Sequence, residues 1–527
     1  MRRPTFVMCA TAVLGLGLLS ACDGGGDEDA GVDGSTPPTD AGMDAGMDDP
    51  DAGEDPDAGE DPDAGLDTVE VRVVHASPDA PAVDVLVAGG ATIADGLAYG
   101  EATTHAELSA GVATVEVRLD ADDSLVLDAD VTLTAGGSYT VIAAGLAGSA
   151  DADDELRLLV YEEAFDAPGT DEARARIVHA GADAPGVDVD LGLDGVDVSD
   201  LARFDATEAA GVALDTTMPT RLEVLAGGGP RVSTFTVDGL SDGDEVFVVA
   251  TGLTGALPRD DDGFALLAVL PDDGTTSPTA WIRQDPRVYA LHFTLDLDGV
   301  DVFAGDQELV DDLAFGGFAG PVQVPPATGV TLDVFDTTSG SARPSGAPRG
   351  SDGIGDLEAG ERYLVVATGI VDDTADPFEL VAVREAMEPD AAMPTRPRVV
   401  AVHAAPDAAE LVQVFRADDP VTDHETDFTS IASLTPIDYA TPTAEMGTTL
   451  DETGTVVLGV GDVPTIDTFP DVYFEPYDFS GGFGRYFLSA GGRVQGPFTP
   501  LVRMVVIEAT DDHQWVATTL DATVPGL

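Results

Sequence analysis

The chain has 527 residues, enough for three to five domains of ordinary size, and carries 98 acidic against 23 basic residues, every basic one an arginine. A net charge of -75 repels nucleic acid and anionic headgroups, which excludes both as partners. So much like charge is tolerated in a compact state where salt screens it, so the composition implies a salty working medium or a plain compositional bias towards Asp, Ala, Gly and Arg.

Residues 1–21 have the form of an export signal. Arg2 and Arg3 precede an apolar run from Phe6 to Leu19 that is too short to span a membrane as a mature helix. The run ends in Leu19-Ser20-Ala21-Cys22, which resembles the lipobox of bacterial lipoproteins. That resemblance implies acylation of Cys22, which would become the first mature residue, and a membrane as partner through the acyl chains. Cys9, the other cysteine, would leave with the signal, so neither a disulfide nor a disulfide-linked partner is expected. Asp23 resembles the inner-membrane retention signal of enteric bacteria, a rule that varies between lineages, so the choice of membrane stays open. The expected location is the cell envelope, facing the periplasm or the cell surface.

Residues 22–67 contain no basic and no aromatic side chain, and "EDPDAG" occurs twice. Such a segment cannot bury enough apolar surface to offset its conformational entropy, so it is expected to be a disordered, self-repelling tether. Its aspartates lack the complete loop and closing glutamate of an EF-hand.

Beyond the tether the chain repeats itself. "VVHASPDAPAVDV" at Val73 returns as "IVHAGADAPGVDV" at Ile177, "ALHFTLDLDGVDV" at Ala290 and "AVHAAPDAAELVQV" at Ala401, with steps of 104, 113 and 111 residues between the histidines. Each unit closes on a late strand pair, such as "GGSYTVIAAGL" with "ELRLLVYEEA" and "GDEVFVVATGL" with "GFALLAVLPD". These short β-branched and aromatic runs, set off by Gly and Asp, are strands and turns rather than helices. The period is too long for a propeller blade and suits a two-sheet sandwich of about seven strands. The expected fold is all-β: four tandem β-sandwich, immunoglobulin-like repeats at 68–165, 173–271, 286–386 and, divergent, 397–522. Acidic, proline-containing linkers suggest beads on a string.

The opening "VHASPDAPAVDV", the "LAYG" at Leu97 and the closing "AGGSYTVIAAGL" together resemble domain of unknown function 4397, a family of bacterial exported repeats. The resemblance covers most of the chain after the tether and is weakest in the fourth unit, where an extra residue removes the second aspartate of the motif. It implies a β-rich tandem fold outside the cytoplasm, and no reaction.

The recurring His and Asp are the obvious candidates for chemistry: His75, Asp79 and Asp84; His179, Asp183 and Asp188; His292, Asp296 and Asp301; His403 and Asp407. A histidine with two carboxylates can bind a cation, or the carboxylate can orient the imidazole as a base. Recurrence in tandem units instead suits a folding determinant, with the imidazole donating to a backbone carbonyl, the first aspartate serving the turn and the second pointing outwards from a strand. We read the motif as structural and assign no metal, cofactor or catalytic residue. Nucleophile elbow, zinc-protease and phosphate-loop motifs are missing, and lysine chemistry is impossible, so a non-enzymatic protein is expected. One aromatic-rich stretch, Phe469 to Phe487, could offer Tyr473, Tyr477, Phe479 and Phe483 to a glycan or a surface protein, or could be a core strand pair with a Gly-rich hairpin. The repeats are therefore expected to act as a surface binding or adhesion module, or else as an envelope spacer. A hydrolase with dispersed carboxylates has the least support.

Overall fold

The structure is a computed structural model. It describes residues 68–337, 342–406, 408, 411–423, 426–450, 454–462, 470–479, 481–492 and 502–523. The signal, Cys22, the tether, Asp407 and Phe469 lie outside the described residues.

In the first repeat, alternating apolar residues separated by Gly, Asp and Pro turns give eight strands: β1 (Thr68–His75), β2 (Val83–Val87), β3 (Thr92–Leu97), β4 (Ala106–Ser109), β5 (Gly111–Leu119), β6 (Leu125–Leu133), β7 (Ser138–Ala144) and β8 (Arg157–Glu162). They form two sheets, ordered β4-β1-β7-β8 and β3-β2-β5-β6. Val69, Val71 and Val73 of β1 and Val141 of β7 meet Val83, Val85, Val115 and Val117 of the second sheet to make the core of a sandwich. β1 runs antiparallel to β4 and parallel to β7, a pairing that departs from the immunoglobulin strand order. The second and third repeats reproduce both sheets, and the second adds Thr279–Ile282 at one edge.

Burial explains the composition of the two sheets. β5 alternates between core and water, whereas β7, "SYTVIAA", is buried at nearly every position. A strand covered on both faces carries a near-continuous apolar run. The cover is the neighbouring repeat. Val74, Ile142 and Ala144 pack against Val178, Phe247, Val249 and Leu267, so the first sheets of repeats one and two lie back to back. Hydrogen bonds seal the contact: the Thr251 hydroxyl donates to the Ala76 carbonyl (2.7 Å) and the Thr279 hydroxyl to that of Gly100 (2.8 Å).

Repeats three and four pack in the same way. Leu291, Leu364 and Val366 meet Val400, Val402, Phe487 and Val505, and the Thr368 hydroxyl donates to the Ala404 carbonyl at 2.9 Å. Tyr289 stacks on Trp515 with centroids 3.8 Å apart. The contact between repeats two and three is polar: the buried Gln323 side chain of the third accepts the Thr234 N–H (3.2 Å) and donates to the Ser233 hydroxyl (3.0 Å), both of the second. The beads-on-a-string expectation is corrected by these buried interfaces, which the acidic linkers gave no reason to foresee.

The fourth repeat departs from the pattern. Its strand Val516–Thr523 pairs with both Arg503–Glu508 and Val472–Phe474, joining its strands into one continuous sheet. Where the other repeats have a full third strand, it has two two-residue fragments, Thr429–Ser430 and Ile437–Asp438, on either side of a short 3-10 turn at Ala432–Leu434.

Candidate functional site

The motif histidines are buried and bonded to backbone. Nε2–H of His75 donates to the Pro81 carbonyl (3.1 Å) and its Nδ1 accepts the Ser77 N–H (3.3 Å). His292 is held the same way by Leu297 (3.0 Å) and Thr294 (3.3 Å). In both, the two ring nitrogens are occupied by backbone groups, which fixes the neutral Nε2–H tautomer. Burial lowers the pKa of His75, His179 and His292 against the raising effect of the carbonyl bond. His179 donates to Pro185 (2.8 Å), and its Nδ1 is buried with no hydrogen-bond partner. His403 accepts the Ala405 N–H at 3.4 Å.

Each histidine also sits over a tight turn. A residue two or three places beyond the end of the third strand, or of its last fragment in the fourth repeat, has a positive φ in all four repeats: Gly100 (82°), Phe204 (67°), Gly316 (73°) and Ala440 (52°). Its backbone N–H donates to the carbonyl of His75, His179, His292 or His403. The left-handed conformation is free for glycine and costs a side chain of order 1 kcal/mol. At Gly100 a Cβ would also come within 2.5 Å of Trp281 of the second repeat.

The two motif aspartates have separate duties. The first ties the opening turn to the loop after the seventh strand: Asp79 accepts the N–H groups of Ala147 (2.8 Å) and Gly148 (2.9 Å), Asp183 that of Thr254 (2.9 Å) and Asp296 that of Val371 (3.1 Å). The second pins a β-bulge in the third strand. Asp84 accepts the N–H of Gly96 (2.8 Å), Asp188 that of Asp200 (2.7 Å) and Asp301 that of Asp312 (3.0 Å), and all three donors have positive φ. The expectation of simply outward-pointing aspartates is corrected here, since Asp188 and Asp301 are buried under that bulge. Asp84 and Asp301 also belong to acidic triplets, with Asp95 and Asp120 and with Glu308 and Asp311; a third triplet is Asp190, Asp194 and Asp197.

The fourth repeat lacks the second aspartate, Gln413 standing in its place, and its third strand is the one that breaks up. Beneath the gap lies a cavity of about 350 Å3. Its floor is Leu450, Val456, Leu458 and Phe479, all buried, and its rim includes Arg416, Thr429, Ser430, Ser433 and Thr449. The spaces beside His292 and His179 in the regular repeats are about 20 and 40 Å3.

The aromatic stretch divides. Phe479 is 1% exposed and packs edge-on to Tyr486 at 5.0 Å, so it offers no surface face; that part of the expectation is corrected by its place in the core. Tyr477 leans on it at 4.8 Å, Tyr473 packs beside Phe428 at 5.6 Å, and Arg485 covers the Phe483 ring at 5.0 Å.

Sequence reasoning assigned His105 nothing, yet it joins two repeats. Its Nδ1 lies 2.5 Å from Asp272 of the second repeat and its Nε2 3.1 Å from Glu163, which also pairs with buried Arg72 at 3.0 Å. Burial lowers its pKa, but Glu163 and Asp272 raise it further, above the ordinary 6.5, while Arg72 opposes them. A raised folded pKa means stability fully present below the unfolded value and lost as pH rises through the folded one. The excess thermal midpoint of the full chain over His105→Gln is therefore expected to be largest below pH 6.5 and to shrink above it. A difference that does not change with pH would refute the pairing.

No curated protein matches the chain. Among solved structures, the Bacillus anthracis TIE protein is similar over 77% of this chain, at 8% identity and a TM-score of 0.14, a likeness that carries no argument. The chain spans 65% of that structure's length. Residues 69–190 and 286–414 match the family described as Domain of unknown function (DUF4397), each match running from the first strand of one repeat through the histidine motif of the next. The chain is thus similar to that family over two separate regions, in the manner of a tandem repeat.

Proposed function

We propose that this is an exported, lipid-anchored, non-enzymatic protein of the cell envelope, in which the regular repeats are a stiff mount and the divergent fourth repeat is the binding module. The observation that carries this reading is the contrast between repeats. In the first three, the motif side chains bond the protein's own backbone, and the spaces beside His179 and His292 hold no more than about 40 Å3. In the fourth, a broken edge strand leaves a cavity of a size that suits a small ligand. The buried interfaces support the mount, because they remove the freedom that flexible linkers would give.

The anchor rests on Cys22 and the lipobox-like residues before it. A glycan or surface protein remains the larger partner class, with Tyr477 packed on Phe479 of the cavity floor. The spacer reading shares the mount and omits the ligand.

The test is expression of the full chain, of Cys22→Ser and of a chain ending before residue 286, which removes the paired third and fourth repeats together, followed by fractionation and capture of envelope glycans and surface proteins. The full chain is expected in the membrane fraction and Cys22→Ser in the soluble one. Retention of Cys22→Ser on the membrane would sink the anchor. Undiminished capture by the shortened chain would sink the binding module.

A further inference from the structure

The cavity of the fourth repeat says what it can hold. Its floor is wholly apolar and made of buried side chains, Leu450, Val456, Leu458 and Phe479. Its rim is polar, with hydroxyls at Thr429, Ser430 and Ser433 and the guanidinium of Arg416. None of the described residues that line it is acidic. A cavity without a carboxylate gives an ammonium or guanidinium ligand no counter-charge, and burying an unpaired cation is costly. A sugar ring fares poorly as well, because the floor presents branched aliphatic groups rather than an open aromatic face and would strand the ring hydroxyls.

The complementary molecule has a compact apolar body and a head that accepts hydrogen bonds. Arg416 lines the mouth, and the planar fork of a guanidinium suits a carboxylate. The opposing field of the net negative charge is screened beyond about 8 Å at physiological salt, whereas the contact at the rim is not.

We infer that the fourth repeat binds a small monocarboxylate with a compact apolar body, such as an aryl or short alkyl alkanoate, apolar end inwards and carboxylate at the rim beside Arg416. This rests on reading the fourth repeat as the binding module. The cavity exists because the third strand is broken, and the strand is broken where the bulge-pinning aspartate is missing. The same change that ended the regular fold at this position opened the site.

The experiment is calorimetric titration of the full chain with 3-phenylpropionate, its methyl ester and 3-phenylpropylamine. The carboxylate is expected to bind, the ester more weakly, and the amine not at all. Ala432→Trp, at an exposed position on the mouth, is expected to abolish binding without disturbing the fold. Arg416→Gln is expected to weaken the carboxylate at least tenfold and to leave the ester unchanged. Binding of the amine as tight as that of the acid, binding indifferent to Ala432→Trp, or no binding by any of the three overturns the inference. If the chain still captures an envelope partner through residues 397–522, the broader reading survives that failure; if it does not, both fall.

Discussion

Replacing Glu385 by alanine is expected to destabilise the third and fourth repeats by about 3–5 kcal/mol, the cost of leaving a buried charge without its partner. Glu385 is 0% exposed and sits where three repeats meet. Arg362 of its own repeat pairs with it, Arg259 of the second reaches Oε2 at 2.9 Å, and Arg485 of the fourth approaches Oε1 at 3.6 Å. Arg362 is itself 1% exposed, so alanine at 385 strands a guanidinium that water cannot reach. Burial alone would raise the Glu385 pKa, but Arg362 and Arg259 outweigh it and hold the carboxyl below its usual range. Its contribution is accordingly present above the unfolded carboxylate pKa and lost as pH falls through the folded one. Urea unfolding of the full chain, followed by the fluorescence of Trp515 in the interface between repeats three and four, measures the effect. A loss below 1 kcal/mol would mean that the cluster is more hydrated than its burial indicates.

Phe247→Ala is expected to cost a similar 3–5 kcal/mol, and to cost it in two repeats at once. The ring belongs to the second repeat but is buried among Tyr161 and Phe165, with centroids at 6.3 and 5.5 Å, and against Ile142 of the first. A cavity there removes contacts from both sheets of the back-to-back pair. Hydrogen exchange should show protection falling together in β7 and in Glu245–Thr251. Protection lost in the second repeat alone would show that the two fold independently and only touch.

Several of these features could be read from the residues. The histidine steps set the number and phase of the repeats, and "SYTVIAAGL" and its counterparts mark the seventh strand because an apolar β-branched run between glycines has few other uses. The imidazole bonded to a carbonyl follows from local chemistry, since its partner lies five or six residues away, whereas the first aspartate's backbone partners lie 68 to 75 residues on, beyond reach of any local pattern. The same runs also held a signal that went unused: a strand apolar at every position is covered on both faces, and "VFVVAT" and "YLVVAT" therefore announce a second layer.

Long-range partners left no such trace. Arg259 and Glu385 are 126 residues apart, and His105 and Asp272 are 167 apart. In a chain with this many carboxylates no spacing marks the few that are buried. The cavity was illegible for a related reason. Its rim is assembled from Arg416, Thr429, Ser433 and Thr449, none of which belongs to a motif. Its one sequence cue was negative: Gln413 where the other repeats have aspartate.

The back-to-back packing constrains how such a chain can change in length. A repeat added or lost singly would leave one broad valine-rich sheet face open to water, and an apolar face of that kind attracts any similar surface, including another molecule's. Insertions and deletions that survive are expected to come in twos. Counting repeats in relatives of this chain should therefore return even numbers far more often than odd, and an odd member should be found joined to a second copy of itself.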